Sequence, residues 1–142
     1  MSEVYVCAVR LLARREHSLV ELEGKLAQKG YDNAAIQDAL EICVRQGLQS
    51  DIRFVESLCR TRIRQGYGPI RIRQELQSKH ISREMVEEVL RSFQEDWLEH
   101  ARCAWEKKYM TSDEASFAEK QKQKQFLLYR GFPMDIIARV IP

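Results

Sequence analysis

Apolar residues along this chain recur three and four positions apart and nowhere keep the strict alternation of a half-buried strand, which predicts an all-α protein. The first fifty residues resolve into three helices. Residues 4–15 present Ala8, Val9, Leu12 and Ala13 at helical spacing. Ser18 and Glu21 then stand three apart, the spacing of a capping box, in which hydroxyl and carboxylate each satisfy an orphan amide. The helix they open carries Leu19, Leu22 and Leu26 and is expected to stop at Lys29-Gly30, a C-terminal cation followed by a left-handed glycine. Asp32 is placed to cap a third helix with Ala35, Ile36, Ala39, Leu40 and Val44 on one face, ending at Gln46-Gly47.

The same arrangement returns twice. Ser50 or Asp51 caps a helix running to about Gln65, and Gly66-Tyr67-Gly68-Pro69 makes a tight turn with proline at a first helical position, where its missing N–H costs nothing. The next helix carries Ile72 and Leu76, and Ser82 opens another with Met85, Val86, Val89, Leu90 and Phe93. The third copy diverges most. A long helix through Trp97 and Trp105 ends near Met110, Thr111 and Glu114 have capping-box spacing, a polar helix covers 115–130, and Gly131-Phe132-Pro133 leads into an apolar tail to Ile141. The two tryptophans, two turns apart, read as inter-helix core rather than a base-stacking platform.

Shifting the chain by 50 residues lays Leu22, Leu26, Lys29, Ile36 and Leu40 on Ile72, Leu76, Lys79, Val86 and Leu90. Shifting it by 101 lays Leu26, Gly30, Tyr31, Ile36 and Leu40 on Leu127, Gly131, Phe132, Ile137 and Ile141. The expected architecture is therefore three tandem three-helix repeats, at 1–49, 50–95 and 96–142. Triplets this short cannot bury their apolar faces alone, so they are expected to stack into an elongated, curved molecule.

Composition narrows the class. With 44% hydrophobic and 31% charged residues, 142 residues suit a folded, soluble protein that needs no metal or disulfide for stability. No apolar run nears the ~18 residues that span a bilayer, and the N-terminus lacks a signal peptide's basic start, so a cytoplasmic protein without membrane contact is expected. Cys7, Cys43, Cys59 and Cys103 form no CxxC pair, and His17, His80 and His100 are isolated. Convergent soft ligands and acid–base partners are what metal sites and catalysis need, so no metal, no cofactor and no enzymatic activity are expected.

Charge distinguishes the middle. From Arg53 to Arg83 there are eight basic side chains against Glu56 and Glu75, a net +6, while residues 1–52 and 84–142 each carry −2. Arg53, Arg60 and Arg64 fall within an arc of about 40° on one helix, opposite Phe54, Val55, Leu58, Cys59 and Ile63. Arg71 and Arg73 stand where the first repeat has Glu21 and Glu23, so the fold does not require them. Two readings remain for this surface: an ordinary solvated face, or one facing an anion such as a nucleic-acid backbone or an acidic protein groove. The shortage of nearby carboxylates favours the second. Arg62 is different, because it aligns with the core position Leu12; its stem is expected to pack while its head pairs with Glu75 or Glu88. Lys120 and Lys124 share a face of the polar helix near Lys122, as either solvated or contact residues. Gly66-Tyr67-Gly68-Pro69 is weak as a phosphate cradle and strong as a turn.

Three separated stretches carry a family resemblance. The run Ala8 to Ser18 with Glu21-Leu22, the central Arg64, Gly66, Gly68-Pro69 with Ile72 and Glu75-Leu76, and the ending Tyr129-Arg130-Gly131-Phe132 resemble the RecX family of regulatory proteins. The resemblance covers essentially the whole chain. It implies tandem three-helix repeats and a non-enzymatic modulator that lodges in the helical groove of the RecA–single-stranded-DNA filament, usually restraining ATP hydrolysis, strand exchange and coprotease activity. The partners it implies are the RecA filament and single-stranded DNA, bound directly or through the filament, by a monomer. The segment before the first repeat is short, so a longer N-terminal arm is not expected in the mechanism. The candidate contact residues are Arg14, Arg15, Arg53, Arg60, Arg64, Arg71, Arg73, Lys79, Lys120, Lys124 and Arg130. A stand-alone, sequence-independent nucleic-acid-binding helical-repeat protein is the alternative.

Overall fold

The computed structural model describes residues 2–93, 96–109 and 115–142. Among them are nine helices and no strand, in three successive triplets. The first triplet is α1 (Glu3–Arg14), α2 (Leu19–Gln28) and α3 (Asn33–Arg45). The second is α4 (Asp51–Arg64), α5 (Pro69–Ser78) and α6 (Arg83–Arg91). The third is α7 (Trp97–Tyr109), α8 (Phe117–Tyr129) and α9 (Met134–Val140). The chain divides into two compact units, one of Met1–Ser57 with Lys79–Ile81 and one of Leu58–Ser78 with Ser82–Pro142.

The repeat positions are the core positions. Leu22, Leu26, Ile36 and Leu40, their counterparts Ile72, Leu76, Val86 and Leu90, and Leu127, Phe132, Ile137 and Ile141 are all buried. Each such side chain contributes about 2 kcal/mol by leaving water. In the first unit Val4, Ala8, Ala39 and Cys43 complete the cluster, with Leu11 and Leu12 packed against it. Two expected core positions lie elsewhere: Val44 is 47% exposed and Cys43 takes its place, and Ala13 is exposed. In each case the helix is rotated slightly from the orientation that the apolar residues alone suggest.

Hydroxyl caps start most of these helices. Ser2, Ser18, Ser82 and Ser116 each accept an amide three residues on, as Ser50 does from Arg53. The expected box at Ser18 is only half built, because the Glu21 carboxylate turns to Arg15. A complete box forms at Ser116 and Glu119, so α8 begins at Phe117; the Thr111–Glu114 pairing lies outside the described residues. Asp32 is the N-cap residue of α3 but its side chain makes no capping bond. Asp51 caps at long range, its carboxylate accepting the Leu19 amide at the start of α2 at 2.8 Å and the Gln49 side-chain amide at 2.9 Å.

The turn after the second helix of each triplet is left-handed. Gly30 and Gly131 hold it at φ +90° and +96°, and His80 occupies the same repeat position at φ +62°. A side chain there costs roughly 1–2 kcal/mol that glycine avoids.

Candidate partner-binding surface

In the second unit the central and C-terminal motif-like stretches meet backbone to backbone. The Gly68 N–H donates to the Arg130 carbonyl at 2.7 Å and the Ile70 N–H to the Gly131 carbonyl at 3.0 Å. Arg130 returns the contact, its Nη1 donating to the Gln65 carbonyl at 2.8 Å. A Cβ on Gly68 would lie 2.5 Å from the Gly131 oxygen, and one on Gly131 would lie 2.6 Å from the Arg71 nitrogen. Glycine is required at both places because two backbones cross there. Phe132, fully buried, locks the crossing. The carbonyls of residues 130 and 131 hold donors that a phosphate would need, so the glycine-bearing turn is a structural clasp and not an anion cradle.

Aromatic rings and guanidinium groups are layered beside this clasp. Arg71 lies 4.3 Å and Arg130 5.0 Å from the centre of the Tyr67 ring, and Arg130 also lies 4.8 Å from Phe126. Tyr109 meets Phe126 edge-on at 5.6 Å. Arg62 makes the pairing expected of it, a two-pronged bridge to Glu75 at 2.6 and 2.7 Å that holds the arginine's proton more tightly than usual. On α8 the polar residue Gln123 is buried and accepts the Trp105 indole N–H at 2.9 Å, so Trp105 packs between helices.

The candidate contact residues divide by what already holds them. Arg15 is bound to Glu21 at 2.6 Å, Arg53 to Glu16 at 2.9 Å and Arg73 to Glu87 at 2.8 Å. The charge window of residues 53–83 missed Glu16 and Glu87 because both lie outside it in sequence. Such exposed pairs contribute roughly 0–1 kcal/mol each and can open toward a partner. Arg14, Arg60, Arg64 and Arg71 are exposed with no carboxylate partner among the described residues. Lys79, Lys120, Lys124 and Arg130 are half-buried, and Arg130 is committed to the clasp.

Arg64 and Arg130 are brought together in one groove of about 590 Å³ within the second unit, between the end of α4, α7 and α8. Its lining adds Lys107 and Lys108, which the sequence reading did not single out; what distinguishes them is that they line the same groove as Arg64.

In the first unit His17 is 2% exposed between α1 and α2. Its Nε2 lies 3.0 Å from the Lys25 ammonium, which can only donate, so Nδ1 carries the proton and donates to the Arg15 carbonyl at 2.9 Å. Burial pushes its pKa down, with the charges of Arg15 and Lys25 pushing the same way. Among the described residues no group of three or more His, Cys, Asp or Glu side chains could hold a metal ion, and no helix is long and apolar enough to cross a membrane.

Three successive helix triplets, two of them joined by a backbone clasp, define a protein of the helical-repeat class. The first, second and third three-helix domains of RecX match residues 5–43, 50–90 and 94–141. The chain is 49% identical to the Regulatory protein RecX of Legionella pneumophila (strain Corby), over 99% of this chain and 93% of that one. It is 42% identical to that of Pseudomonas savastanoi pv. phaseolicola, over 94% and 86%. The crystal structure of RecX from Lactobacillus salivarius superimposes with a TM-score of 0.82 at 26% identity, covering 98% of this chain and 92% of that one. The chain belongs to the RecX family of regulatory proteins.

Proposed function

We propose that this protein modulates RecA by lodging in the helical groove of the RecA–single-stranded-DNA filament. Occupying the groove obstructs subunit rearrangement and the entry of duplex DNA or a repressor substrate, and so restrains ATP hydrolysis, strand exchange and coprotease activity. The observation that carries this reading is the match of all three RecX domains along one chain, with relatives named as regulatory proteins at 49% identity. The exposed, carboxylate-free arginines Arg60, Arg64 and Arg71 supply side chains suited to acidic grooves and phosphates.

The test compares binding of labelled protein to bare single-stranded DNA and to ATP-bound RecA filament on the same DNA, at matched salt. Tighter binding to the filament is expected, with inhibition of its ATPase weakened several-fold by Arg60→Glu/Arg71→Glu. That pair is cleaner than one including Arg73, whose reversal would set a carboxylate against Glu87. Equal or weaker binding to the filament would favour a stand-alone nucleic-acid-binding protein, whose affinity falls steeply with salt.

A further inference from the structure

We infer that the cleft formed by α5, α6, α7 and α9 binds an acidic peptide segment of a protein partner, taking an apolar side chain between its helices and carboxylates on its arginines. The cleft lies within the second unit and encloses about 660 Å³, an ordinary size for a ligand site. Half-buried Leu98, Pro133 and Ile136 line it beside the buried Trp97. Arg73, Arg91 and Arg139, all exposed, share the lining. Arg73 is bridged to Glu87, whereas Arg91 and Arg139 have no carboxylate partner among the described residues. The fold does not call for these arginines. Shifted by 50, Arg73 and Arg91 fall on Glu23 and Glu41; shifted by 101, Arg139 falls on Asp38. The first repeat builds the same helices with an exposed carboxylate at all three positions. Packing therefore does not account for three cations here, and what the cleft gains from them is attraction for negative charge.

The chemistry of the lining favours a peptide over a nucleic-acid strand. Glu87 and Asp135 stand among the arginines and would repel a run of phosphates, whereas a peptide can meet them with its own N–H groups. Trp97 is 5% exposed and flanked by the rings of Phe93 at 6.4 Å and His100 at 5.7 Å, so it has no face on which a base can stack. The two unpaired guanidinium forks take carboxylates in two-pronged fashion. A second cleft, of about 390 Å³, shares Arg73 and Glu87 with the first and adds Arg83 and Val86. The surface thus continues past the Arg73–Glu87 bridge, which suits an extended segment better than a single amino acid. That exposed bridge is weak enough to open and give Arg73 to a partner carboxylate.

This site goes beyond the filament reading, and no filament is needed to test it. Fluorescence anisotropy would use a labelled peptide of about eight residues, acidic at both ends with leucine and phenylalanine at its centre. The proteins compared are wild type, Arg91→Glu/Arg139→Asp, which installs the residue types of the first repeat, and Lys29→Glu/Arg45→Glu, an equal charge change on exposed residues of the first unit. Wild type is expected to bind this peptide about tenfold more tightly than one with serine in place of leucine and phenylalanine. The cleft variant should lose about tenfold in affinity and the control about two- to threefold. Equal losses in the two variants, indifference to the apolar pair, or no binding by wild type would overturn the assignment. So would an oligothymidylate of about 15 nucleotides that loses as much affinity in the cleft variant as the peptide does, since the arginines would then serve phosphate. A thermal melt matching wild type shows that the cleft variant is folded. Should its melt fall, Arg91→Gln/Arg139→Gln, which reverses no charge, is expected to lose about threefold, and full affinity in that variant would equally sink the proposal. The filament reading stands or falls by its own measurement, since Arg60 and Arg71 lie outside this cleft.

Discussion

Replacing Gly68 with alanine puts a methyl carbon 2.5 Å from the Gly131 oxygen, 2.7 Å from its carbonyl carbon and 2.8 Å from the Phe132 ring. Two of these neighbours are backbone and the third is fully buried, so none can swing away as an exposed side chain would. The crossing must open by roughly 1 Å to restore ordinary contact, which strains or breaks the bonds from Gly68 to Arg130 and from Ile70 to Gly131. Losing two buried backbone hydrogen bonds costs about 1 kcal/mol each, and forcing a methyl into a packed site adds about 1–3 kcal/mol. A loss of about 3 kcal/mol is expected, read as a fall in melting temperature of about 10 °C for a chain of this size. Gly24→Ala is the matched control. Nothing lies within 4 Å of its Cβ position and it sits inside α2, so alanine should stabilise by about 0.5–1 kcal/mol. Circular dichroism melts and urea titrations of both variants decide the matter. A Gly68→Ala protein melting at or above wild type would show that the clasp is not close-packed and refute the reasoning.

Two further predictions concern single histidines. His80→Gly should raise the urea midpoint, by about 1 kcal/mol of stability, because glycine holds the positive φ of that turn without strain, as Gly30 and Gly131 do; an unchanged or lower midpoint would mean the imidazole makes a compensating contact. His17 is held neutral by burial beside Arg15 and Lys25, with Glu21 the opposing charge, so its folded pKa lies below its ordinary value of 6.5. Between that depressed value and 6.5 the unfolded chain binds more protons, so stability falls as pH drops below 6.5. The Glu21 carboxylate also has a lowered pKa: burial, the largest single influence, raises it, but Arg15 outweighs that, and the stability it adds is lost only further down, below 4.5. Urea unfolding at pH 7 and 5.5 should show a loss in wild type that His17→Gln does not share.

Much of the fold was legible because the repeat writes the same core three times. Leu26, Leu76 and Leu127 are all fully buried, and a leucine kept at that spacing has few reasons to be there other than packing. The third repeat was harder. α8 buries Gln123 through a bond to Trp105 while leaving Phe117 79% exposed, so its apolar pattern points the wrong way. The cations of the candidate surface could be picked out by residue type, but not which of them are already paired. Charge along the chain identifies Arg53 and Arg73, yet their partners Glu16 and Glu87 are 37 and 14 residues away and become visible only once the helices pack. The same limit hid Lys107 and Lys108, which line the same groove as Arg64. Two of the three motif-like stretches that carry the family resemblance, the central one and the last, are joined by the clasp.

That joint also sets an order of events during synthesis. The first unit draws its long-range cap from Asp51 and can settle early, whereas the first-turn amide of Ile70 waits for the carbonyl of Gly131. At about 5–20 residues per second, the ribosome takes on the order of 3–12 s to travel between those two positions. Throughout that interval the middle repeat exists with its turn unlatched and the ring of Phe132 missing from its seat. A nascent chain released before residue 132 carries every arginine of the central patch on a scaffold that has not closed, so its vulnerability to proteases falls only when the clasp is made.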